Sequence, residues 1–170
     1  QFTDDEAKLL DLMLVLHAEH GGGNNSTFST RVLTSSATDT YSAISAGIGS
    51  LKGPRHGGAN AAVRFMMESI KEGVHNWEDE TEVAAFIEKI MDKQAGDGSG
   101  LVYGMGHAVY TVSDPRAVML KKYAHGLSKG TEYEREFDLT CRVEKLAPGI
   151  FQRRKGTTAP LCANVDMYSG

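Results

Sequence analysis

Apolar residues recur every three or four positions along most of this chain, a spacing that predicts helix almost throughout. The first stripe, Leu9, Leu12, Met13 and Leu16, defines a helix capped at Asp4 or Asp5 and running to about His17. Leu10, Leu14 and Val15 widen that stripe, so burial on most sides is expected. Gly21-Gly22-Gly23-Asn24-Asn25 ends it. Short helices follow near Thr27 to Ser35 and Tyr41 to Leu51. The second contains Ala43, Ala46, Gly47 and Gly49, small residues that permit close helix contact. Gly53-Pro54 breaks the pattern. Ala59, Val63, Met66, Met67 and Ile70 then predict a helix from Gly57 to about Lys71.

Asn76 or Asp79 opens an amphipathic helix with acidic residues in its first turn and Val83, Phe86, Ile87, Ile90 and Met91 facing inward. Gly96-Asp97-Gly98-Ser99-Gly100 is a loop. Pro115 suits the first position of a helix lasting to about Leu127. A further helix is expected from Thr131 to about Leu146, ended by Pro148-Gly149. The segment from Ile150 to Val165 is expected to be mostly irregular, with room for a short hairpin. The predicted fold class is mainly α and multi-helical, with little or no strand.

Composition refines this picture only by exclusion. With 170 residues, 41% hydrophobic and 24% charged, the chain has the balance of one ordinary globular unit. A net charge of −4 and a pI near 5.9 give no footprint for nucleic acid. No apolar run approaches the roughly 20 residues that span a bilayer, so no membrane partner is expected. Cys141 and Cys162 are too few and too far apart for a disulfide scaffold or a zinc ribbon. With no signal peptide in view, an intracellular, cytoplasmic location is expected. Residue 1 is Gln, and Asn164 to Gly170 read as the opening of an element, so the chain is expected to be truncated at both ends.

Four clusters could carry chemistry. His17-Ala18-Glu19-His20 places two histidines at i, i+3 near a helix end; a metal-dependent hydrolase built on them would need ligands that the sequence does not supply, and no metal is expected. Gly53-Pro54-Arg55-His56-Gly57-Gly58-Ala59-Asn60 sets His56 between a turn and a helix start. There the positive end of the dipole favours a neutral imidazole, a good donor to an oxygen developing enolate charge. Gly104-Met105-Gly106-His107 lets backbone approach a ligand, and Arg116 of Asp114-Pro115-Arg116 can offer a fork of donors to a carboxylate. In Asn164-Val165-Asp166 the aspartate opens a helix. Each cluster alone is equally an ordinary cap, turn or loop.

In this order and at these separations, the clusters resemble the citrate synthase family, from about Leu10 to Gly170. They read His-Ala-Glu-His, Gly-Pro-Arg-His-Gly-Gly-Ala-Asn, Gly-Met-Gly-His-Ala-Val-Tyr with Asp-Pro-Arg, and Asn-Val-Asp-Met-Tyr-Ser-Gly. The resemblance implies an acyltransferase of the tricarboxylic acid cycle that condenses acetyl-CoA with oxaloacetate, with acetyl-CoA as co-substrate and no permanently bound cofactor. It implies that His20 and Arg116 hold oxaloacetate carboxylates and that His107 binds and polarises the ketone. His56 would donate to the thioester oxygen, and Asp166 would be the general base.

Leu101, Val102, Tyr103, Gly104, Met105 and Gly106 correspond to the family's loop against the CoA adenine. Where many relatives carry a phosphate-binding basic residue just after the Gly-His-x-Val segment, this chain has Val109-Tyr110-Thr111. Lys121 and Lys122 are close in sequence, but nothing in the sequence shows that they substitute. By the same analogy residues 1–56 are a strip of a large domain and 57–170 most of a small, CoA-binding lid domain, the parent being a homodimer. Such a fragment is expected to be inactive alone. The alternatives are 2-methylcitrate synthase acting on propionyl-CoA, and for the fragment a non-catalytic CoA-binding module.

Overall fold

The computed structural model describes residues 2–18, 21–53, 56–107 and 110–169. Among these it has eight helices and no strand: α1 (Asp4–His17), α2 (Asn25–Thr34), α3 (Thr40–Leu51), α4 (Ala59–Gly73), α5 (Glu80–Met91), α6 (Pro115–Ser128), α7 (Glu134–Lys155) and α8 (Asp166–Ser169). The mainly-α expectation holds. The only β pairing among the described residues is an isolated antiparallel bridge between Met105 and Ala163, and the room left for a hairpin between Ile150 and Val165 is not used.

The core is built on α4, α5 and α7. Val63, Met66 and Ile70 of α4 meet Val83, Ile87 and Ile90 of α5 and Leu139, Val143, Ala147 and Ile150 of α7, all buried. Each buried Val, Leu, Ile or Met side chain is worth about 1.5–3 kcal/mol relative to exposure. The amphipathic reading of α5 is correct, with Asp79 as its cap, accepting from Thr81 N.

Two readings of the sequence are corrected. The helix expected to stop at Pro148-Gly149 runs on to Lys155, with Pro148 inside it, and ends at Gly156 in a left-handed turn. Pro148 lacks the N–H that Glu144 O would accept, and an interior proline costs about 3 kcal/mol. The buried positions 139, 143, 147 and 150 form one stripe across the proline. Stopping the helix there would take Ile150 out of the core. The second correction concerns α1. Its cap is Thr3, not Asp4 or Asp5, in a reciprocal capping box with Glu6. None of its residues is buried, and Leu10, Leu14 and Val15 are more than half exposed. Its inner side lies against α6.

α2 and α3 pack as a pair, so close that a Cβ on Gly47 would lie 2.6 Å from Thr30 Oγ1. No helix among the described residues is long and apolar enough to cross a membrane.

Candidate functional site

The site is assembled around α8, a single turn headed by Asp166. Asn164 shapes the approach: its side-chain oxygen accepts from Asp166 N at 3.0 Å, a local Asx cap. Its backbone N donates to Gly104 O (2.9 Å) and its amide to Gly106 O (2.9 Å), while Gly106 N donates to Cys162 O at 2.7 Å. The loop 101–107 and the segment 162–164 are thereby stapled together. Gly104 has φ +77°, and a Cβ there would meet Met167 Sδ at 2.8 Å and its Cα at 3.0 Å. Only glycine permits both that backbone and that contact.

Asp114 is the hub beneath. It caps α6 through Arg116 N (2.9 Å), takes Arg116 Nε at 3.0 Å and Nη2 at 2.8 Å, and accepts from Val165 N at 3.1 Å. Its carboxylate is wholly buried and the Arg116 side chain 17% exposed. Burial pushes the Asp114 carboxyl upward. The hydrogen bonds from the Arg116 side chain and backbone outweigh it, with the charges of Arg116 and His107 adding, and hold the group below its ordinary value. Arg116 is raised in return, chiefly by its bonds to Asp114 and more weakly by the charges of Asp114, Tyr110 and Asp166. The oxaloacetate arginine inferred from the sequence is thus oriented by Asp114 and sits within electrostatic reach of Asp166.

The depressed carboxyl has a consequence in acid. Above the unfolded value of about 3.9, ionised Asp114 stabilises the fold, and that contribution disappears as the pH falls through the lower folded value. Asp114→Asn should therefore flatten the acid limb of stability below about pH 4. The urea midpoint measured against pH checks this; a limb as steep as that of the unchanged chain would contradict it.

His56 lies in the turn before α4, two positions ahead of the cap Gly58. Its N donates to Gly53 O at 3.3 Å. Gly57 is required there: a Cβ would fall 2.0 Å from Leu51 O. At the head of α4, Asn60 Nδ2 donates to Ser169 Oγ at 3.0 Å, joining the His56 turn to the end of α8. Between them opens a cleft of about 410 Å³ lined by His56, Asn60, Asp166 and Ser169, with Leu10, Met13, Leu14 and His17 of α1 opposite. His56 and Asp166, the candidate donor and base, share one cavity.

His107 accepts from Tyr110 N on Nδ1 at 3.1 Å, and its ring centroid lies 4.6 Å from that of Tyr110. An accepting Nδ1 puts the proton of the neutral ring on Nε2. His107 and Arg116 do not line the cleft of His56 and Asp166. His20 lies outside the described residues, as do Pro54, Arg55, Ala108 and Val109.

The loop predicted to face CoA lines a second cavity, of about 320 Å³: Leu101, Val102 and Met105 on one side, Phe151, Arg154, Lys155 and Leu161 on the other. Tyr103 is directed elsewhere, its hydroxyl 2.6 Å from Asp97 Oδ2. Lys121 pairs with Glu144 at 2.5 Å. The cations facing the loop are instead those at the end of α7, and Arg154 pairs with Asp92.

Three of these features are not legible in the sequence. Asp114 stands there only as a neighbour of Arg116, and Asn60 only as part of a motif. Arg154 and Lys155 are hidden when the helix is ended at Pro148, because only a continuous α7 carries them to the loop. His17, the first histidine of its cluster, lines the cleft with Nδ1 2.7 Å from Met13 O.

The all-α scaffold thus sets an imidazole and a carboxylate across one cleft, with the Arg116–Asp114 pair at the head of α6. The family model "Citrate synthase, C-terminal domain" matches residues 1–170. The citrate synthase of Synechocystis sp. is 38% identical over 165 residues, 96% of this chain and 37% of the relative. The solved citrate synthase from Thermoplasma acidophilum, a ternary complex with carboxymethyl coenzyme A and oxaloacetate, superposes with a TM-score of 0.73 at 28% identity, over 100% of this chain and 40% of that one. Citryl-CoA lyase from Hydrogenobacter thermophilus superposes at 0.67 with 26% identity, over 98% of this chain and 57% of that one. The chain belongs to the citrate synthase family. It spans about 37% of the length of the Synechocystis relative.

Proposed function

We propose that the whole polypeptide carrying these residues condenses acetyl-CoA with oxaloacetate and hydrolyses the citryl-CoA formed, giving citrate and CoA. The observation that carries this reading is the shared cleft of His56 and Asp166. A thioester α-proton is weakly acidic, so its removal by a carboxylate needs a donor on the developing enolate oxygen at the same time.

In this reading Asp166 takes the methyl proton while His56 donates to the thioester oxygen. The enol carbon then attacks the ketone carbon of oxaloacetate, and the ketone oxygen receives its hydrogen bond and proton from His107 Nε2. His20 and Arg116 hold the oxaloacetate carboxylates; the Asp114 grip on Arg116 leaves the rest of that fork to point at an anion. Water then attacks the citryl thioester carbonyl, the C–S bond breaks and CoA leaves as the thiol. Leu101 to Gly106 would lie along the CoA adenine, with Lys155 on the facing wall suited to its phosphates. Acetyl-CoA is a co-substrate and no resident cofactor is required.

Residues 57–170 would serve as most of a small lid domain and 1–56 as a strip of a large one, in a homodimeric parent of the tricarboxylic acid cycle. Without the rest of the large domain the lid has nothing to close on, and residues 1–170 alone should turn over at less than about a hundredth of the parent rate. The test is thiol release from acetyl-CoA by the purified parent. Release that depends on oxaloacetate supports the reading, and release without it, or none, contradicts it. Propionyl-CoA in the same assay separates citrate synthase from 2-methylcitrate synthase, since one methylene is worth only about 1–3 kcal/mol.

A further inference from the structure

α8 has four residues, and one helical turn does not hold itself together in water. Its position must come from outside contacts. Two belong to the site already described: Val165 N on Asp114, and Ser169 on Asn60. A third does not line the cleft. The Tyr168 hydroxyl donates to Glu144 Oε2 of α7, and Lys121 Nζ of α6 donates to the same oxygen at 2.5 Å. Lys121 also lies 5.6 Å from the centroid of the Tyr168 ring, and Phe137 of α7 packs on that ring at 6.1 Å. Three helices thus meet at one carboxylate oxygen.

We infer that Tyr168 is a positioning residue for Asp166, and that the Lys121–Glu144–Tyr168 clamp sets the direction in which the base presents its carboxylate. Residues two apart on a helix point about 200° from one another. Gripping Tyr168 against α6 and α7 therefore turns Asp166 to the opposite face, where the cleft with His56 lies. Arg116 is held separately by Asp114 at the head of α6, so loosening the clamp leaves the arginine in place. This inference rests on the role proposed for Asp166.

The experiment uses the whole parent polypeptide and its Tyr168→Phe variant, which loses one hydroxyl and nothing of the ring. With the base swung off line, kcat should fall about tenfold while the KM for oxaloacetate stays within about twofold. The isotope effect on kcat with trideuterated acetyl-CoA should rise, because proton removal becomes slower. Glu144→Ala should reproduce both changes, and the double variant should lose no more than about twofold beyond either single one, as expected for partners in one interaction. A kcat within about twofold of the parent overturns the inference. So does a KM for oxaloacetate that rises as kcat falls, an unchanged isotope effect, or additive losses in the double variant. An inactive parent would remove the functional reading and this inference together; an active parent with an indifferent Tyr168→Phe removes the inference alone.

Discussion

Replacing Asp166 with alanine in the parent polypeptide should lower citrate formation by about a thousandfold or more, within the range that a positioned general base contributes. The loss should fall on kcat, because the proposed mechanism assigns oxaloacetate to His20 and Arg116 and not to the base. Asp166 heads a turn whose approach is fixed by Asn164 and whose far end is tied to Asn60. Truncation therefore removes a carboxylate from a standing frame instead of collapsing it. Steady-state thiol release, with oxaloacetate binding measured separately, checks this; near-parent kcat would remove Asp166 from the chemistry.

His56→Ala carries the second-largest expected effect, about 10²–10³ in kcat, the scale set by removing one donor from a site of developing oxyanion charge. Its stability cost should be small, since the imidazole is exposed in its turn and the neighbouring Gly57, not His56, makes the tight approach to Leu51. A rescue of rate by His56→Asn over His56→Ala would mark hydrogen donation as the lost function. Equal rates in the two variants would contradict that role.

Much of this molecule was legible because helical periodicity survives wherever one face is buried. α6 is legible to within a residue, with Pro115 as its opening position, and α5 in its buried face, with Asp79 one of the two starts the sequence offers. Legibility failed where a local signal and a tertiary one disagreed. Pro148 is a valid local stop, but the buried stripe from Leu139 to Ile150 overrides it. In α1 the apolar side chains are real, yet none of its residues is buried and its main contact among the described helices is α6, so a wide stripe does not mean a buried helix. The Thr3–Glu6 capping box is a local signal in the sequence, with which the adjacent aspartates compete as caps.

The candidate site divides in the same way. Its residue types and order are local and could be recognised. Its wiring is not: nothing in a Pro-Arg dipeptide tells that the preceding aspartate will be wholly buried and reach across to Val165 N. Nor does a tyrosine two places beyond Asp166 announce a partner on α7. Such contacts exist only once distant segments have folded together.

The central claim is convergence on one keto-diacid and one thioester. A structure of the whole parent with oxaloacetate and a non-reactive acetyl-CoA analogue tests it most directly. Oxaloacetate should place its carboxylates on His20 and Arg116 and its ketone oxygen within about 2.6–3.2 Å of His107 Nε2, with Asp166 and His56 flanking the analogue's terminal carbon and carbonyl. Oxaloacetate bound away from Arg116, or an analogue whose reactive end lies outside the cleft of His56 and Asp166, would contradict the account.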